Sequence, residues 1–289
     1  MTTLQTETSG TFVLGENLTI HRLGYGAMRI TGPGIWGEPK DRGEAVKVLK
    51  RAIELGVDFI DTADSYGPEV SENIIAEALY PYPAGLVIAT KGGFARPGPN
   101  KWEALGRPEY LRQCVEMSLR RLKLECIELY QLHRIDPKVP VEESLGTLKD
   151  MQQAGKIRHI GLSEVSPAEI DQASKTVKIV SVQNQYNLSD RQHEKVLQYC
   201  EQRNLAFIPW FPVAAGKLAQ PGGPLDQIAK KHGATVAQLS LAWLLHRSPV
   251  MVPIPGTSSV KHLEENMAAA NVRLSAEEWK AIESAAAKG

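Results

Sequence analysis

Four polar residues in the first half of the chain have the types needed to deliver a proton to an oxygen that is gaining negative charge. Asp61 closes the apolar run in DFIDTA, Lys91 the run in LVIATK and His133 the run in IELYQLH, and Tyr66 follows Asp61 by five residues. A carbonyl that receives hydride at carbon needs such a proton, and a positioned phenol can give it. A free phenol ionises near pH 10, roughly three units above neutrality, so an ammonium beside it is needed to make the phenolate accessible. Lys91 can supply that charge, Asp61 can hold Lys91 in place, and His133 can orient the carbonyl oxygen by a hydrogen bond. Each residue also has a plainer reading: Asp61 as a cap, Tyr66 as a packed aromatic, Lys91 as a surface lysine, His133 in an ion pair near Asp136. Asp64 competes with Asp61, but Asp61 stands at the end of the run.

Such residues must be carried by strands whose ends meet. Short apolar runs alternate with longer segments of helical period, which is the signature of repeated βα units. The runs predict eight strands, Leu23–Ala27, Asp58–Thr62, Leu86–Lys91, Ile127–His133, His159–Ser163, Ile179–Gln185, Ala206–Trp210 and Met251–Ile254. Helical stretches between them cover Gly43–Leu55, Ser71–Leu79, Pro108–Leu122, Val141–Ala154, Arg191–Glu201 and Val236–Arg247. Eight such strands suit a closed (β/α)8 TIM barrel of the α/β class, in which reactive groups gather at the C-terminal ends of strands. Ahead of the barrel, Thr11–Leu14 and Leu18–Ile20 flank a Gly15-Glu16-Asn17 turn and predict a capping β-hairpin. Two extra helices follow it, Val260–Ala270 and Ala276–Ala287, the second introduced by Ser275 with Glu278 at capping-box spacing. The Gly/Pro-rich stretch from Gly92 to Pro108 reads as a loop over the site, so one domain spans residues 1–289.

Composition narrows the classes. Lys plus Arg and Asp plus Glu both total 33, which leaves no overall field to gather nucleic acid or anionic lipid. The densest basic run, Arg120 to Lys123, ends a helical pattern, where cations suit the helix dipole. Three cysteines, far apart and without a Cys-x-x-Cys, fit a reducing compartment, and the cytoplasm is the expected location. No apolar stretch reaches the roughly 20 residues of a membrane span, and the N-terminus lacks the pattern of an export signal. The seven histidines include no His-x-His or His-Glu-x-x-His, so no metal site is expected. Gly24-Tyr25-Gly26 starts like a dinucleotide fingerprint, but Arg29 holds the third glycine position and no helix opens there.

The motifs FIDTADSYG, VIATKGG, ELYQLH, HIGLSEVS, VQNQYN and IPGTSSVKHLEENMAA, in this order from the first strand to the last helices, together resemble the aldo-keto reductases. That resemblance implies a nicotinamide-dependent oxidoreductase that interconverts carbonyls and alcohols. It makes Tyr66 the proton donor and Asp61, Lys91 and His133 the rest of a tetrad. It further implies NADPH in preference to NADH, held by Gly26, Ala27, Met28 and Asp61, by Ser163, Glu164 and Gln185, and by Trp210, Phe211, Pro212 and Val213. Ser163 and Gln185 would bond the carboxamide, and Trp210 would stack on the ring. The phosphate end falls to Gly256, Thr257, Ser258 and Ser259 at a helix start, with Lys261, His262, Glu265 and Asn266 around the adenosine. The chain departs from the pattern at Glu164, where many members have asparagine, at Gly256, where some have lysine, and at His262, where some have arginine. An ordinary helix cap at Thr257–Ser259 and a core role for Trp210 are the plainer alternatives.

Met28, Trp36 and Trp102, with Tyr66 and His133, are expected to face a small-molecule carbonyl substrate, and Arg29, Arg96 and Arg134 are candidate anion contacts. The first loop, RITGPGIWGEPKD, and the segment FPVAAGK are similar to bacterial members that reduce pyridoxal. Two rival functions remain at this stage: an NADP-binding regulatory subunit of a membrane channel, and a metal-assisted barrel hydrolase. The resemblance implies a monomer.

Overall fold

The structure is a computed structural model that describes residues 5–213 and 221–286. Strands β1 (Thr11–Leu14) and β2 (Leu18–His21) pair antiparallel. They bury Phe12, Leu14 and Ile20 against the main core, as a hairpin lid should. The barrel wall is a parallel sheet of β3 (Tyr25–Gly26), β4 (Phe59–Asp61), β5 (Val87–Gly92), β8 (Ile127–Leu132), β9 (Ile157–Ser163), β10 (Ile179–Gln183) and β11 (Ala206–Phe207), neighbours in that order. Helices cover the outside of these strands, so both faces of the sheet are buried and the strands read as near-continuous apolar runs. All residues of β4, β5 and β10 are buried.

Among the described residues, seven strands form the regular ladder and an eighth segment closes it. Pro253 and Pro255 have no N–H to donate, so this segment cannot form a regular strand. Its backbone is nonetheless bonded on both sides. Phe207 N donates to Val250 O and Val252 N to Phe207 O, both at 2.8 Å, while Gly24 N and Gly26 N donate to the Pro253 and Pro255 carbonyls at 3.0 and 3.3 Å. The expected strand over Met251–Ile254 is thus corrected to an irregular staple that joins the last strand to the first.

The helices are α1 (Arg42–Glu54), α2 (Val70–Leu79), α3 (Pro108–Leu122), α4 (Val141–Gln153), α5 (Pro167–Ser174), α6 (Glu194–Arg203), α7 (Pro224–Lys231), α8 (Val236–Arg247), α9 (Val260–Ala268) and α10 (Ala276–Ala286). The sequence reading misses α5 and α7, each only 8 residues long. A signal for α5 was nevertheless present, because Ser166 and Glu169 form a complete capping box. The appended α10 is tied down: Glu283 accepts from Arg191 and from Trp243 Nε1, and Trp279 stacks on His246 with ring centroids 4.1 Å apart. Ala287, the expected end of that helix, lies outside the described residues.

The stretch from Gly92 to Pro108 is not a plain loop. It contains an antiparallel hairpin of β6 (Phe94–Gly98) and β7 (Lys101–Ala104). Its aromatic residues are claimed by the site beneath, with the Phe94 ring centroid 4.6 Å and that of Trp102 6.2 Å from His133.

Candidate active site

Asp61 is the last residue of β4, Lys91 is next to last in β5, His133 follows β8, Ser163 ends β9 and Gln183 ends β10. Five neighbouring strands thus aim polar residues at one face of the barrel. Lys91, fully buried, uses all three of its N–H bonds: to Asp61 Oδ2 at 2.6 Å, to Thr62 O at 2.8 Å and to Tyr66 Oη at 3.3 Å. Asp61 Oδ1 accepts from Gln131 Nε2 at 3.0 Å and Gln183 Nε2 at 2.8 Å. A buried ion pair is sound only when its remaining lone pairs and protons are satisfied, and here they are. The His133 ring meets that of Tyr66 edge-on at 5.8 Å, and Ser65 Oγ lies 3.2 Å from its Nδ1.

Burial pushes the Tyr66 phenol above its usual value of 10, and the Lys91 ammonium offsets only part of that rise. The expectation that Lys91 makes the phenolate accessible therefore needs correction for the free enzyme, because desolvation outweighs the attraction. Burial also works against the Lys91 ammonium, but Asp61 and Tyr66 more than offset it and hold it above the usual lysine value. His133 is driven well below 6.5 by burial first and then by the positive charges of Lys91, Arg134 and Arg96. The resting site holds a protonated phenol, a charged lysine and a neutral imidazole. That is the set a carbonyl oxygen needs when it is about to accept a proton.

These groups open onto a cavity of about 680 Å³. Gly26, Met28, Trp102, Ser163, Trp210, Phe211, Pro212, Val213 and Gly256 line it as the sequence reading expects, and Phe94 and Gln183 are additions. Gln183 replaces Gln185, because β10 stops at Gln183 and the Gln185 amide is bonded to Asp190 Oδ2 at 3.0 Å. Gln131 and Gln183 were legible in principle, since each interrupts an apolar strand with a buried amide. Trp36 is not among the lining residues. It bridges to Gly67, and its ring centroid lies 5.6 Å from the Arg96 guanidinium, which also stands 3.6 Å from the Trp102 ring centroid. Arg96 in turn donates to the carbonyls of Ser65, Lys101 and Gly34, which ties the hairpin to two loops, and it is not among the residues lining the cavity. Asp64 faces away from the cavity, toward Cys114.

The other residues expected to hold the cofactor lie at or beside that mouth. Ala27 is buried behind it, and Glu164 turns outward to bond Trp210 Nε1 and Gln185 N. Thr257 Oγ1 accepts from Ser259 N at 3.1 Å in a turn just ahead of α9, whose N-cap, Ser259, makes no side-chain cap bond, and Ser258 is exposed between them. His262, Glu265 and Asn266 lie on α9. A Cβ added to Gly256 would sit 2.7 Å from Gly26 O, so only glycine lets these two segments approach, and the space outside them stays open to the cavity. Phe211 and Val213 remain 49% and 37% exposed at the mouth, apolar surface that a bound ring would cover. Both features fit a nicotinamide nucleotide. Ala214–Lys217 of FPVAAGK lie outside the described residues.

The model of the aldo/keto reductase family matches residues 22–287. The chain belongs to the aldo/keto reductase family. It is 55% identical over 269 residues to an uncharacterised oxidoreductase of Schizosaccharomyces pombe, covering 93% of this chain and 87% of that one. It is 44% identical over 275 residues to pyridoxine 4-dehydrogenase of Escherichia coli, covering 93% and 96%. An aldo-keto reductase from Klebsiella pneumoniae, solved in complex with NADPH, superposes with a TM-score of 0.80 at 27% identity, covering 95% and 94%. Family membership makes the chain an oxidoreductase acting on carbonyls and alcohols, and it gives no support to the hydrolase or channel-subunit readings.

Proposed function

We propose that the chain reduces an aromatic aldehyde of the pyridoxal kind with NADPH, and that Tyr66 gives the carbonyl oxygen its proton. The observation that carries this is the placement of Lys91 Nζ between Asp61 Oδ2 at 2.6 Å and Tyr66 Oη at 3.3 Å, with His133 alongside in the cavity wall. The nicotinamide would supply hydride to the carbonyl carbon. Ser163 and Gln183 would bond its carboxamide and Trp210 would cover its ring, while the N–H groups of Ser258, Lys261 and His262, at and just before the start of α9, would be offered to phosphate, those of Ser259 and Val260 being bonded to Thr257 and Glu44. Tyr66, charge-supported by Lys91, then protonates the oxygen, and His133, neutral, steadies it by a hydrogen bond. Phe94 and Trp102 form an aromatic wall suited to a flat substrate. The similarity to pyridoxine 4-dehydrogenase supports that class, and the NADPH complex of the Klebsiella enzyme supports the cofactor.

The same reading places the enzyme in the cytoplasm, as one barrel domain and a monomer. Its three cysteines are all free thiols. Large apolar side chains exposed among the described residues are Val13, Tyr80, Phe211 and Val213, of which two belong to the cavity mouth. Tyr66→Phe tests the chemistry. NADPH oxidation with pyridoxal and benzaldehyde should fall by roughly 10²–10⁴ while NADPH binding persists. Unaltered turnover in that variant would reject Tyr66 as the donor.

A further inference from the structure

Arg134 is half-buried in the cavity wall and has no carboxylate partner among the described residues. Charged groups this far from water are normally paired. Its Nη1 donates to His133 O and to Ser163 Oγ at 2.9 Å, and the Phe94 ring lies 5.4 Å from the guanidinium, so the group is fixed in place. Its Nε and Nη2 find no acceptor in the described protein. Glu164 acts on Arg134 through space, but one of its oxygens is taken by Trp210 and Gln185 and the other lies 3.5 Å from His193. Arg29, exposed at the mouth of the same cavity, also lacks an acidic partner among the described residues. Asp61 is the one carboxylate among the described lining residues, and Lys91 with two amides consumes it. The cavity therefore carries, among the described residues, two guanidiniums with no bonded carboxylate around a carbonyl-reducing centre.

We propose that this cavity selects carbonyl substrates that bear an anionic oxygen group, held by the free edge of Arg134 beside His133 and attracted by Arg29 at the mouth. The inference rests on the active-site reading above and adds to it a substrate charge. A guanidinium presents paired donors that match a carboxylate or a phenolate better than any neutral group. Arg134 adjoins Ser163 and His133, where the reacting end of the substrate must lie. An anchor there also fixes the aldehyde relative to Tyr66, so charge selection should be expressed in turnover as well as in binding.

Two measurements decide it. Binding of benzoate and benzamide to the NADPH-loaded enzyme, followed by calorimetry, reads the subsite without turnover. The kcat/KM of the three carboxybenzaldehyde isomers, each against its neutral carboxamide counterpart, reads the same preference in catalysis. The expected result is a preference for the anion of about tenfold or more, close to 1.4 kcal/mol, for benzoate and for at least one ring position. Arg134→Gln and Arg29→Gln should each pull the anion-to-neutral ratio toward one, and NADPH affinity is titrated in parallel by fluorescence. Arg29 is exposed, so its variant keeps the test open should Arg134→Gln fold poorly. Ratios within twofold throughout, or ratios that survive both substitutions, overturn the proposal. Selective benzoate binding lost in the variants, with no aldehyde reduced, would uphold the subsite and reject the catalytic reading instead.

Discussion

Trp210 Nε1 donates to Glu164 Oε1 at 2.6 Å, and the same oxygen accepts the backbone N–H of Gln185 at 2.6 Å. Glu164 stands in the left-handed region, with φ of 56°, a conformation that asparagine tolerates better than glutamate. Its side chain can be directed away from the cavity because Ser163 and Gln183 remain inside it. The residue that departs from the family pattern thus fixes the Trp210 indole in the cavity wall.

Glu164→Gln preserves an acceptor at the same reach, whereas Glu164→Ala removes it and frees the indole. A hydrogen bond to a charged group contributes about 1.5–3 kcal/mol, and part of that is lost as added freedom of Trp210. The alanine variant should bind NADPH roughly tenfold more weakly, with kcat for a neutral aldehyde changed less than KM for the cofactor, and the glutamine variant should stay within about threefold of wild type. Fluorescence titration with NADPH reads both. Equal weakening in the two variants would show that the charge matters and the indole bond does not.

Lys91 and Asp61 form a buried pair in which removing one partner strands the other. Lys91→Met should cost about 3–5 kcal/mol of stability as well as most of the activity, because Asp61 is left without a counter-charge. The double variant with Asp61→Asn should recover much of that stability while activity stays low. Urea unfolding of the two proteins checks the claim, and a double variant no more stable than Lys91→Met would defeat it.

Much of this site was legible because strand ends in a barrel converge. Asp61, Lys91 and His133 stood out as polar stops on apolar runs, and that pattern alone locates the C-terminal face. Gln183 was missed in favour of Gln185, since nothing in VQNQYN tells where the pairing ends, and only the bond from Gln185 to Asp190 shows which amide is spent elsewhere. Trp36 and Arg96 were misplaced for a related reason. Tryptophan and arginine look the same in sequence whether they face a substrate or each other, and here Arg96 lies against two indoles. The tension between burial and the Lys91 charge at Tyr66 was also beyond the sequence, because its sign depends on how far the phenol is desolvated.

The raised Tyr66 value sets a pH dependence for each direction of reaction. Reduction needs the phenol protonated, and a group held above 10 by burial is protonated across the ordinary range. His133, held well below 6.5, stays neutral above about pH 6. Reductive kcat should therefore be flat from about pH 6 to 9, whereas oxidation of an alcohol, which needs the phenolate, should rise close to tenfold per pH unit over the same span. Profiles in both directions test this, and a reductive rate that falls with an apparent pKa near 7 would contradict it.

Asp64 gives a stability prediction of opposite sense to the usual carboxylate. Its side chain is buried, and among the described residues Oδ1 has no hydrogen-bond partner and Tyr130 Oη nearby is likewise unpaired. Burial, and then the charge of Glu72, pushes the carboxyl up to about 7 from 3.8. Below pH 4 the group is protonated in the folded and unfolded chains alike and costs nothing. Between pH 4 and 7 the unfolded chain releases a proton that the folded chain keeps, so stability falls as pH rises and levels off above 7. Three units correspond to about 4 kcal/mol as an upper bound. Asp64→Asn removes the titration and offers a donor to the unpaired phenol, so it should stabilise the protein by roughly 1–4 kcal/mol at pH 8 and by little at pH 4. Urea midpoints of the two proteins at both pH values measure the difference, and a gain of equal size at pH 4 would trace it to packing instead of ionisation.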